Sequence, residues 1–124
     1  MQFADILGGT PSVVNGVCLS QRFRNIDVTI LGRPSRSPLV LPQFFSFESL
    51  DRQGRALNLG ETVILQKEIN PFISALRKRG IKVTALHNHW LFENPRLMYI
   101  HFEAIENPII FARKVAEALK VLGR

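Results

Sequence analysis

The stretch IKVTALHNHWLFENPRLMYIHFEAI, residues 81–105, decides the fold. Two runs rich in β-branched and aromatic residues, IKVTALHNHW and RLMYIHFEAI, flank LFENP, whose Asn and Pro punctuate a turn. The pattern predicts two antiparallel strands. The same stretch holds every histidine of the chain: His87, His89 and His101. Alternate residues of a strand share a face, so His87 and His89 point the same way as Ile81, Val83 and Ala85. A three-residue turn at 93–95 would place His87 opposite His101, His89 opposite Tyr99 and Ala85 opposite Glu103. The other face would carry Leu86, Trp90, Met98, Ile100, Phe102 and Ala104, an apolar set suited to lie under helices. A slip of one residue would send the histidines to opposite faces and spoil that core.

Outward from this hairpin the period changes to that of helices. NPFISALRKRG opens on Asn70 and Pro71, a good cap and a good first helical residue, and closes on Gly80. QKEI just before it extends the start by a turn. ENPIIFARKVAEALKVLG repeats the opening with Asn107 and Pro108, and Phe111, Ala112, Val115, Ala118, Leu119 and Leu122 form a broad apolar stripe. With the strand ALNLGETVILQ ahead, the C-terminal half reads as a β-α-β-β-α order, related to a ferredoxin-like arrangement whose last strand is missing. Gly60 in that strand marks a bend or bulge. An N-terminal strand could fill the missing place. The candidates are the hairpin around Asn15 and Gly16, the alternating NIDVTIL, and LPQFFSFESL. The expectation is one α+β domain over 1–124, a mostly antiparallel sheet with two helices on one face. An unfilled strand position leaves an edge for pairing into a homodimer.

Composition agrees with a globular domain: 46% hydrophobic and 21% charged residues in 124. The formal net charge is +6, but the basic residues are scattered. Their tightest group, RKRGIK, lies at a helix end, where cations complement the dipole. A nucleic-acid partner needs a continuous basic face, so that reading ranks last. Cys18 is the single cysteine, so no intrachain disulfide forms, as expected in a reducing compartment. No apolar run approaches the roughly 20 residues that span a bilayer, and MQFADILGG lacks the form of a signal peptide. Cytoplasmic residence is the expectation, with a trimmed exported form as the alternative.

Three neutral imidazoles on one face suit a divalent transition metal such as zinc, and leave a position open for water. Such a water becomes a nucleophile near neutral pH. His87, His89 and His101 are therefore the candidate metal ligands, with Tyr99 and Glu103 as supporting groups on the same face. Without metal, the cluster could move protons or bind an anionic ligand. Histidines also serve as hydrogen-bonding residues on half-buried sheets, and that plain reading stands beside the others. Two functions stay open: a metal-dependent domain able to hydrolyse a small molecule, and a noncatalytic module binding a ligand or a protein. Nothing names a catalytic residue.

The residues Gly60, Glu61, Glu68, Asn70, Pro71, the run from Thr84 to His89, Pro95, Arg96 and His101 follow a pattern. It reads G-[DE]-x-V-[IL]-x-x-x-E-[VI]-N-P, then G-I-x-V-T-A-L-H-N-H, then P-R-x-[MF]-[YF]-x-H. In this the chain resembles the LppY/LpqO-like family of bacterial proteins, over about half its length. The resemblance implies no assigned activity, since that family has none, and many of its members are exported lipoproteins. This chain differs in having no lipobox-like run before Cys18, and FEAIENP follows His101 where relatives often carry further glycine and histidine. The resemblance also implies that Glu68 belongs to one recurring pattern with the histidines, which makes Glu68 a further supporting candidate.

Overall fold

The computed structural model of the chain describes residues 1–123. In order these form α1 (Gln2–Leu7), β1 (Thr10–Val14), β2 (Val17–Phe23), β3 (Thr29–Ile30), β4 (Arg33–Pro34), β5 (Pro42–Glu48), β6 (Ala56–Leu65), α2 (Ile69–Lys78), β7 (Lys82–His87), β8 (Glu93–Asn94), β9 (Leu97–Glu106) and α3 (Pro108–Leu119). Six strands make one antiparallel sheet in the order β1-β2-β5-β6-β9-β7, and β4-β3-β8 make a second, small sheet. The α+β architecture expected from the sequence is the one observed.

The C-terminal half explains the strand order. β6 and β7 both run antiparallel to β9, which lies between them. They are therefore parallel to each other, joined through α2, with β9 inserted: a split β-α-β unit. The place of its missing last strand is taken by β5, which pairs with β6 from Gln43↔Thr62 to Glu48↔Leu57. The position from which edge pairing was expected is thus filled within the chain. The outer strands are β1 and β7.

Local chemistry accounts for most boundaries. Asn15 (φ 54) and Gly16 (φ 76) make the two-residue turn of the β1–β2 hairpin, with both central residues left-handed as a type I′ turn requires. Asn107 caps α3, its side chain accepting from the N–H groups of Ile109 and Ile110. Asn70 does not cap α2: that helix starts at Ile69, after a 3₁₀ turn over Gln66–Glu68, so the two Asn-Pro openings are not equivalent. Of NIDVTIL only Thr29–Ile30 is strand, because the small sheet needs no more. Gly60 makes no bulge. It sits in unbroken register between Phe45 and Phe102, and a Cβ there would collide with the Phe102 ring. The bulge lies at Thr84 instead, between Val83 and Ala85 of β7.

The sheet has two unlike faces. On one, Phe45, Ile64, Ile100 and Phe102 pack against all three helices, through Phe3 and Leu7 of α1, Phe72 and Leu76 of α2, and Phe111, Val115 and Ala118 of α3. Each such fully buried Val, Leu, Ile or Phe side chain contributes about 1.5–3 kcal/mol. On the other, Val63, Leu97 and Tyr99 are covered by Val28, Val40 and Leu41 with Trp90 at the margin. That cover reaches only one end of the sheet. Beyond it Leu59 (38% exposed) and Ile105 (63% exposed) face outward uncovered.

Candidate metal centre

The three histidines arrive by different routes. His87 is the last residue of β7 and His101 lies in the middle of β9, both on the face away from the helices. The register is not the one expected: His87 stands opposite Tyr99, and Ala85 opposite His101. The offset is two residues, not one, so both side chains keep their face and meet diagonally. His89 lies beyond the strand, in the connection before β8. It is brought back over the sheet by its neighbour: Trp90 Nε1 donates to the Tyr99 hydroxyl (2.8 Å), and the hydroxyl donates to the Val40 carbonyl (2.7 Å). The Asn88 side chain also donates to the Trp90 carbonyl (3.2 Å). His89 then lies flat on Tyr99, with ring centroids 4.0 Å apart and planes 8° from parallel.

The result is a compact trio. His87 stacks on His89 at 4.8 Å and on His101 at 4.9 Å between centroids. One ring nitrogen from each lies within 4.8 Å of the others. Nitrogens sharing one tetrahedral zinc at 2.0–2.1 Å would be about 3.3 Å apart, so the widest gap must close by no more than about 1.5 Å. His87 and His89 are exposed, so their side chains have room to turn toward a shared ion.

His101 is the fixed member. Its Nε2 is buried and has no hydrogen-bond partner among the described residues. Its Nδ1 is 3.6 Å from Oε1 of Glu61, the residue directly across from it on β6. That distance is beyond a hydrogen bond and one small side-chain shift from becoming one. Burial is the first cause that holds the His89 imidazole below its ordinary pKa, His87 and His101 add repulsion, and Glu61 opposes them. His89 therefore keeps the neutral, lone-pair form a metal needs at neutral pH.

The expected supporting groups fall in different places. Tyr99 is the platform for His89, and its hydroxyl is occupied at both ends. Glu103 points to the same side but pairs across from Leu59 and Lys82, outside the trio. Glu68 lies elsewhere: both its oxygens bind Arg24 (2.8 and 2.9 Å), and they also accept from the N–H groups of Leu65 and Gly123. Burial would raise the Glu68 pKa, but the Arg24 hydrogen bonds and the two backbone donors hold it below the ordinary value. It is a tether between the 66–68 turn, Arg24 and the C-terminal end of the described chain. Glu61 was not among the candidates. Its signals were its place as the acid after Gly60 in the family-like pattern and its standing as a lone acid inside the apolar strand LNLGETVIL.

Among the described residues no helix is long and apolar enough to cross a membrane. No curated protein and no solved structure matches the chain significantly. A family model, described as Domain of Unknown Function (DUF1259), matches residues 1–121, nearly the whole length. A strand order and a histidine trio are thus joined to a sequence family without an assigned activity, and the chain belongs to that family.

Proposed function

We propose that this domain binds a divalent transition metal, zinc being the reference case, through His87, His89 and His101. One observation carries the reading: one ring nitrogen from each of the three histidines lies within 4.8 Å of the others, and the buried Nε2 of His101, one of six such side-chain atoms, has no hydrogen-bond partner among the described residues. A bound cation would satisfy it. Glu61 behind Nδ1 would then play the carboxylate's part in a carboxylate–histidine–metal relay, keeping the proton on Nδ1 and the lone pair on Nε2. An ion with three protein ligands supplies Lewis acidity and acidifies a water in its open position. Hydrolysis of a small substrate is the reaction this supports. The second reading, a noncatalytic ligand-binding module using the same face, is favoured by the uncovered apolar sheet beside the trio. The kinship with LppY/LpqO-like proteins is part of the same proposal, resting on the shared H-N-H and P-R…H elements.

The test is metal analysis of the purified protein after exposure to zinc, iron, nickel and copper in turn. One equivalent bound by the native protein, and none by His87→Ala/His89→Ala/His101→Ala, is the expected result. No stoichiometric metal from any of the four would end the metal reading.

A further inference from the structure

The bare half of the sheet is not featureless. A trough of about 210 Å³ runs across it, walled by Leu19 of β2, Phe44 and Ser46 of β5, Leu59 and Glu61 of β6, and His101 of β9. Two of its eight lining residues, Glu61 and His101, belong to the candidate metal centre, and the rest is apolar apart from one hydroxyl. Phe44 is braced edge-on by Phe23, with centroids 6.3 Å apart, so that wall is preformed. The larger cleft, about 950 Å³ around Arg24, Asp27 and Arg36, includes none of the histidines.

Size and charge narrow the occupant. A dry cavity of roughly 150 Å³ holds a benzene ring, so the trough takes one ring and little more. A divalent ion on three neutral imidazoles, set against the Glu61 carboxylate, leaves one net positive charge at the trough's end. Glu103, the other acid nearby on this face, stands across from Lys82, which offsets it. The complement is a single negative charge next to a single ring. We propose that the trough is the ligand subsite of the histidine centre and that its ligand class is the small aromatic monocarboxylates. The carboxylate reaches the held ion and the ring lies between Leu19, Phe44 and Leu59. This rests on the metal reading above.

The experiment loads the full chain with one equivalent of zinc, checks the stoichiometry, and titrates benzoate and acetate separately by ligand-observed NMR. Benzoate is expected to bind at least tenfold tighter than acetate. Leu59→Ser, at a position already 38% exposed, should remove most of that preference while leaving zinc content and acetate affinity unchanged. Leu19→Ser serves as the second variant and should act likewise. Equal affinities on protein shown to hold zinc would overturn the trough proposal alone. So would a preference that survives both substitutions. A doubled mass in sedimentation with no benzoate uptake would overturn it too, and would assign the face to a second copy. Protein that takes up none of zinc, iron, nickel or copper fails at the first step, and the metal reading falls with it.

Discussion

Replacing Glu68 by Ala should cost about 3–5 kcal/mol and leave metal binding intact. The carboxylate and the Arg24 guanidinium are 5% and 2% exposed, and joined at 2.8 Å. Removing one partner strands the other as a buried charge, which costs about 3–5 kcal/mol. That is a large part of the 5–15 kcal/mol typical of a domain. With a urea dependence of about 2 kcal/mol per molar, the midpoint should fall by about 2 M. The assay is urea unfolding at neutral pH, followed by the single tryptophan and by circular dichroism. The double change Arg24→Met/Glu68→Leu removes both charges and should lose far less than the two single changes together, because the stranded-charge penalty is counted in each single but absent from the pair. It should still fall short of wild type, since Arg24 also donates to the carbonyls of Val63 and Gly123. The carboxyl pKa is depressed on folding, so this stabilisation is present above the unfolded carboxylate value near about 4.3 and is lost as pH falls below it. A loss under about 1 kcal/mol would refute the buried-pair argument. Folded Glu68→Ala protein without metal would instead return Glu68 to the metal site.

Three further outcomes are expected. Glu61→Gln should weaken zinc affinity by about 10–100-fold with stability nearly unchanged, whereas Glu103→Gln should leave zinc titrations as they are. Tyr99, the only tyrosine, should show no phenolate absorbance until far above its ordinary range: burial chiefly, with the Glu93 and Glu61 carboxylates, pushes it up to about 12 against the opposing Trp90 hydrogen bond. Its neutral form is favoured by folding, so stability should hold up to about pH 10 and decline from there toward about 12; phenolate appearing near 10 in folded protein would contradict the burial. Gly60→Ala should destabilise by about 1–3 kcal/mol through overlap with Phe102, and a neutral thermal shift would mean the sheet yields there.

What was readable in the sequence was what local chemistry decides. Asn15-Gly16 can hardly be other than a tight hairpin turn, and the stripe from Phe111 to Leu122 has one sensible partner, the sheet. The hairpin register was not local. Residues 88–96 do not make a minimal turn; part of them, Glu93–Asn94, leaves to pair with Thr29–Ile30, and β7 bulges at Thr84. The histidines still met, because a two-residue offset preserves faces and because Trp90 draws His89 back onto Tyr99. Glu68 was misplaced for a similar reason. Its partner Arg24 is 44 residues away, just past the end of β2 and ahead of NIDVTIL, where nothing local marks it as a partner. Glu61 escaped notice because its meaning depends on which strand lies beside β6, and no run of residues announces that β9 does.

The bulge at Thr84 has a consequence for the molecule in company with others of its kind. An outer strand is a template on which foreign strands polymerise unless it is blunted. Here β7 is broken by the bulge and carries Lys82, while β1 at the far margin has Pro11, which lacks a donor. Both margins are thus poorer templates for a straight ladder into a neighbour. The domain can therefore leave a greasy sheet face open to solvent, ready for visitors, without inviting the stacking into fibrils that such a face would otherwise risk.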